Sequence, residues 1–147
     1  MTIGIATDHG GLQLKQQLQQ YLEDKGFTVR DFGAFEYDAQ DDFPDFVVPL
    51  ARAVGAGEVE RGIAVCGSGV GASIAANKIK NVRACLITET YSARQGVEHD
   101  DMNMICVGGR VIGIALATEL IDNFLGAEYQ GLPRQLRRMG KIAALEE

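Results

Sequence analysis

Short apolar runs alternate with helix-spaced segments from one end of the chain to the other. The runs lie at 2–7, 27–32, 62–66, 82–88 and 104–108. Their near-continuous hydrophobicity predicts strands buried on both faces, as in a parallel sheet. Between them, the spacing predicts helices over 12–25, 44–55, 70–78 and 91–98, then a strongly amphipathic helix over 112–125 and a basic one over 132–145. Alternating β and α segments imply right-handed crossovers and an open, doubly wound sheet. No internal repeat, low-complexity segment or interdomain linker breaks the series. Residues 1–147 therefore read as one α/β domain whose last stretch, from about residue 130, is a helical tail.

The composition narrows the partners. A chain of 147 residues with 46% hydrophobic content fits one domain with a full core. A net charge of -6 argues against nucleic acid or an anionic membrane as a general partner. A small anionic substrate stays possible, because a site needs only local positive charge. The three cysteines, Cys66, Cys85 and Cys106, are an odd number without metal-ligand spacing, so no disulfide framework is expected. Cys85 and Cys106 sit inside apolar runs and read as inert core thiols. The first residues enter a strand-like run with no basic region or cleavage-site pattern, and no apolar run approaches a membrane span. A cytoplasmic protein without a signal peptide is expected.

In a doubly wound sheet, ligands bind outside the carboxyl ends of the strands. Two predicted strand ends carry chemistry. The first offers Thr7-Asp8-His9-Gly10-Gly11; the third offers Cys66-Gly67-Ser68-Gly69-Val70-Gly71, followed by an alanine-rich helix. The second of these units aims backbone N–H groups and a helix N-terminus at one spot, which favours a phosphate, an enediolate or a thiolate. If the two strands are neighbours, Asp8, His9 and Cys66 converge.

Other readings of the glycine-rich turn fit less well. Gly67-Ser68-Gly69-Val70-Gly71-Ala72 satisfies G-x-G-x-x-A after a strand, and Glu89 follows at about the distance of a ribose-binding acid. That fingerprint sits in the third β-unit, however, with too little chain after it for a second nucleotide half. A Walker loop would need a lysine where Ala72 stands, and a cysteine-phosphatase loop would need an arginine there. His99-Asp100-Asp101 has no second ligand cluster for a metal. A cysteine beside backbone donors can act as a base, the same donors holding the oxyanion formed next to a carbonyl. The plainer alternative is a buried, inert cysteine at a strand end. His99 falls in a polar link leading into a strand, at the opposite end of the sheet from Cys66, and could serve that site only in a partner subunit. Arg134 and Arg138 share one face of the last predicted helix, either as a solvated basic face or as a phosphate clamp.

Taken together, Asp8-His9-Gly10-Gly11, Cys66 to Gly71 with Asn77-Lys78, His99, Gly109-Arg110-Val111 and the Arg134/Arg138 tail resemble ribose-5-phosphate isomerase type B. That family includes the galactose-6-phosphate isomerase subunits. The resemblance covers nearly the whole chain. It implies a Rossmann-like three-layer α/β/α sandwich with a five-stranded parallel sheet, assembled as a homodimer or tetramer with active sites shared between subunits. It also implies an aldose–ketose isomerase of phosphorylated sugars that uses no metal and no other cofactor. By that resemblance, Cys66 is the base that moves a proton between C1 and C2 through a cis-enediolate, and His99 assists ring opening. Asp8 would contact sugar hydroxyls, the Gly67–Gly71 backbone (with Ser68, Gly69 and Val70) would bind the oxyanion, and His9, Arg110, Arg134 and Arg138 would hold the phosphate. One branch of the family carries a glutamate base where this chain has Ala72, which leaves the role to Cys66.

Three departures bear on the substrate. Asp100 follows His99 where the family has a substrate-contacting asparagine. Phe43 replaces a common tyrosine, and Gly131-Leu132-Pro133-Arg134-Gln135 reads as one residue longer than the usual turn. Ribose 5-phosphate is the first expectation. A hexose 6-phosphate or tetrose phosphate is the alternative within the class, and a non-catalytic phosphosugar or nucleotide binding module is the alternative outside it.

Overall fold

Successive positions of the central strands carry side chains of different size, and this asymmetry organises the layers. In the computed structural model, which describes residues 1–146, the chain runs β1 (Thr2–Thr7), α1 (Leu12–Asp24), β2 (Thr28–Asp31), α2 (Pro44–Gly55), β3 (Arg61–Cys66) and α3 (Val70–Ala76). It continues through β4 (Ala84–Leu86), α4 (Thr90–Asp100), β5 (Met104–Gly108), α5 (Ile114–Gly126) and α6 (Pro133–Ala143). All pairings are parallel, in the order β2-β1-β3-β5-β4. Ile3, Ile5, Ile63, Val65, Ile105 and Val107 point to one face, where they meet α1, α4 and α5 through Leu18, Val97, Leu120 and Phe124. Ala6, Ala64, Cys66, Met104 and Cys106 point to the other, under Val47, Leu50 and Val54 of α2 and Ala72 and Ala76 of α3. A strand's period of two therefore sends the Cys66 side chain toward α3 and the start of α2.

The three-layer sandwich matches the expected architecture, and Pro44–Gly55 falls on its predicted helix. The predicted strands at 27–32 and 82–88 are shorter, Thr28–Asp31 and Ala84–Leu86, because both are sheet edges. They are also not buried on both faces: β2 alternates exposed and half-buried residues, and Cys85 and Leu86 of β4 are exposed. Cys85 is accordingly not the core thiol its apolar surroundings suggested, whereas Cys106 is fully buried. Asn77 ties α3 to the short edge, its side chain exchanging two 2.8 Å hydrogen bonds with the Ala84 backbone. Buried Lys15 of α1 bridges to Asp31 at the end of β2 over 2.6 Å and steadies the turn that follows.

β1 and β3 are neighbours, and the chain reverses direction across the sheet between them, the place where open α/β sheets form a crevice. No described helix is long and apolar enough to cross a membrane. At the crevice the backbones come together closely: a Cβ on Gly108 would stand 2.7 Å from the Ser68 backbone. Gly108→Ala is expected to force the β3–α3 turn to shift and to cost about 1–3 kcal/mol of stability, measured by urea denaturation. A stability loss within error of zero would mean the turn yields freely.

Candidate active site

The site grows out of three strand ends joined by backbone contacts. After β1, the Asp8 carboxylate accepts the Gly10 N–H at 2.8 Å and caps a short 3-10 turn over His9–Gly11. After β3, Gly69 takes φ +87, a left-handed conformation that suits glycine, and its N–H reaches the Cys66 Sγ at 3.1 Å. After β5, the Gly109 N–H donates to the Cys66 carbonyl at 2.8 Å and the Arg110 N–H to the Gly67 carbonyl at 3.0 Å. These bonds hold the turn after β5 against the turn after β3, and the Arg110 side chain stands beside Gly67.

The result is an open cleft of about 470 Å³ with Asp8, Cys66 and Arg110 on its walls. Gly67, Ser68 and Gly71 line it from the β3–α3 turn, and the Phe43 ring packs on Gly71 from the start of α2. A buried thiol with an N–H donor aimed at its sulfur, a carboxylate and a guanidinium thus face one small volume. That set can move a proton next to an anionic group. Of the other cysteines, burial pushes the Cys106 thiol far above its ordinary range, and partial burial together with Asp100 pushes Cys85 up. Neither is suited to nucleophilic or base chemistry.

His9 stands beside this cleft with a partner the sequence reading missed. Its Nδ1 lies 2.6 Å from Asp41 Oδ1, and its backbone N–H donates to the same oxygen at 3.1 Å. The Asp41 hydrogen bond raises the His9 pKa, with Asp8 adding to it, against partial burial and the charge of Arg110. Asp8, His9 and Asp41 are also the one grouping of metal-ligand residues among the described residues, with donor atoms within 4.8 Å of one another. Within it, His9 Nδ1 is bonded to Asp41 Oδ1 and Asp8 Oδ1 to the Gly10 N–H, while Asp41 Oδ2 is buried without a partner.

The remaining candidates lie elsewhere in the chain. His99 and Asp100 occupy the last turn of α4, rather than a link outside it, and lead through Asp101 toward the amino end of β5. Since Met104 pairs with Gly62 and Gly108 with Cys66, that end is separated from the thiol by about 13 Å of strand. Arg134 and Arg138 are exposed on α6, which packs beside α4 and is anchored by buried Gln135. A larger groove of about 560 Å³ runs there between α6, α4 and β4, with Cys85 and Asp100 on its wall and none of the Cys66 group. One chain therefore holds two groups of candidate residues, one at each end of the sheet.

Comparison with known proteins agrees with this geometry. Residues 3–142 match the family model described as Ribose/Galactose Isomerase. The chain is 40% identical over 145 residues to ribose-5-phosphate isomerase B of Escherichia coli, covering 99% of this chain and 96% of that protein. It is 37% identical over 131 residues to D-erythrulose-4-phosphate isomerase of Pectobacterium atrosepticum, covering 89% and 86%. The structure of ribose-5-phosphate isomerase B from Mycoplasma genitalium with bound ribulose 5-phosphate superposes with a TM-score of 0.93 at 38% identity, covering 99% of this chain and 95% of that one. With the fold, the cysteine at the end of the third strand and these matches in agreement, the chain belongs to the ribose/galactose isomerase family, and it is an aldose–ketose isomerase of sugar phosphates.

Proposed function

We propose that the protein interconverts ribose 5-phosphate and ribulose 5-phosphate, with Cys66 as the base. The observation that carries this reading is the Cys66 sulfur, buried at a strand end, facing Asp8 and Arg110 and receiving the Gly69 N–H. In the aldose-to-ketose direction, the Cys66 thiolate takes the proton from C2 of the open-chain sugar. The C2–H electrons form the C1–C2 double bond, and the carbonyl electrons move onto O1 as the cis-enediolate forms. Backbone N–H groups of Gly67–Gly71 stabilise that oxygen, where preorganised donors act most strongly. O1 then gains a proton, O2 loses one as it becomes the carbonyl, and Cys66 returns its proton to C1. Asp8 binds sugar hydroxyls, and His9 and Arg110 hold the phosphate.

The second group of residues completes the site from another copy. His99 assists ring opening, Asp100 contacts the sugar, and Arg134 and Arg138, four apart on α6, clamp the phosphate of the partner's substrate. The exposed apolar surface supports a homodimer: Val70 and Ile74 share a face of α3, Leu86 lies on the open edge of β4, and Leu136 and Ile142 project from α6. The phosphate needs no more than these local cations, so an overall charge of -6 is no obstacle.

A second reading changes the sugar and keeps the chemistry. Phe43 lines the cleft without a hydroxyl, and Asp100 adds a carboxylate to the residues that reach the sugar. Both favour a substrate with a different hydroxyl pattern, a tetrose phosphate or a hexose 6-phosphate. kcat/KM across ribose 5-phosphate, erythrulose 4-phosphate, galactose 6-phosphate and allose 6-phosphate separates the two. A preference for ribose 5-phosphate supports the first, and a higher value on another sugar replaces it.

Cys66→Ala is expected to lower kcat by about 10²–10⁴-fold while the folded protein still binds sugar phosphate. Retained turnover would remove Cys66 as the base, and turnover absent from the wild type on every sugar would favour a binding module. Mixing Cys66→Ala and His99→Ala dimers under subunit exchange is expected to recover roughly a quarter of wild-type activity, since half the dimers are hybrids with one intact site. No recovery after verified exchange would show that Cys66 and His99 act in the same chain or not together.

A further inference from the structure

We propose that Asp41 is a positioning residue for His9: its carboxylate holds the ring through Nδ1–H, so that Nε2 is turned to the substrate's phosphate and donates to it in the imidazolium form. This rests on the reading that His9 holds that phosphate. Asp41 lies in the segment before α2, 32 residues from His9 in sequence, and a single oxygen, Oδ1, accepts both the His9 backbone N–H and the ring Nδ1. A carboxylate can only accept here, so Nδ1 carries a proton and the ring cannot turn without losing the bond. Locally, Asp41 is itself placed by a turn in which its N–H donates to the Asp38 carbonyl and the Gln40 N–H to the Asp38 side chain.

The energetic oddity of Asp41 points the same way. Its side chain is only 9% exposed, and its second oxygen, Oδ2, is buried with no hydrogen-bond partner. A carboxylate left so poorly satisfied costs stability. The bond to His9 is what it receives in return, and the Tyr37 ring stands edge-on to the imidazole with centroids 6.2 Å apart. The charged groups facing His9 are Asp8 from the end of β1, Asp41 from the loop before α2, and Arg110 from the end of β5. The two carboxylates raise the His9 pKa and Arg110 opposes them, so the imidazolium persists to higher pH than an isolated histidine would allow. With Nδ1–H committed to Asp41, a neutral ring would turn an Nε2 lone pair toward the phosphate, so only the imidazolium donates through Nε2, and it does so as a charge-assisted bond. Phosphate affinity should thus fall as pH rises through the raised His9 value.

The test is a titration of His9 by NMR in wild type and Asp41→Asn, alongside KM for the sugar phosphate and competitive inhibition by inorganic phosphate between pH 5.5 and 8.5. Asparagine keeps an acceptor for Nδ1–H and removes the charge. His9 is expected to titrate at lower pH in the variant. The KM ratio of variant to wild type should reach about tenfold at pH 8 and return toward one near pH 6, with kcat changed less than about twofold. Should the variant fail to fold, the wild-type ring nitrogen shifts still report whether Nδ1 is protonated across this range, and an unprotonated Nδ1 overturns the proposal. An unmoved His9 midpoint also overturns it, while leaving His9 as a phosphate ligand. A moved midpoint with phosphate affinity unchanged at every pH overturns the assignment of His9 to phosphate, and with it the role given to Asp41.

Discussion

Everything at the catalytic end of this molecule depends on how closely three strand ends can approach one another. A Cβ on Gly10 would stand 2.9 Å from the Gly67 nitrogen, and one on Gly108 would meet the Ser68 backbone at 2.7 Å. With hydrogens in those places, the turns after β1, β3 and β5 lie backbone against backbone. The Gly109 and Arg110 N–H groups then bond directly to the Cys66 and Gly67 carbonyls. The thiol at the end of β3, and the carboxylate and guanidinium in the turns after β1 and β5, are thereby braced against one another, the preorganisation that the proposed proton transfer would require.

The two faces of the sheet divide their tasks. Isoleucines and valines fill the α1/α4/α5 side, with Phe124 and Leu120 among the fully buried partners. The α2/α3 side is lined with Ala6, Ala64 and Cys66, and small side chains let the covering helices come near. Cys66 ends that sparse row. It is enclosed enough to be kept from bulk water, yet it opens on the cleft beneath Phe43.

Much of this was readable beforehand, and the exceptions have physical causes. β1, β3 and β5 are continuous apolar runs because both faces are covered, and the polar residues just past β1 and β3 announced the crevice. At β4 the apolar run is longer than the strand because Val82 and Ile87 are buried beyond the ends of its short ladder, so hydrophobicity outlasts hydrogen bonding. Cys85 is exposed for a different reason: an apolar neighbourhood in sequence does not say that its strand lies at the rim of the sheet. The position of His99, far from Cys66, followed from topology alone. Asp41 was not visible, since it sits in a stretch without periodicity and finds its partner only once β1 and the approach to α2 are side by side.

The contact of Phe43 with Gly71 has a consequence for how such an enzyme can diverge. The ring enters the cleft from the first residues before α2, and a Cβ on Gly71 would lie 2.7 Å from it. This wall is a side chain leaning on the glycine framework and forms no part of it. Exchange of that one ring reshapes the cleft while the thiol, the glycine-rich backbone and the strand ends stay where they are. On the proposed roles, the fold separates what would transfer the proton from what would measure the substrate, so new specificity could be acquired at the rim without dismantling the floor.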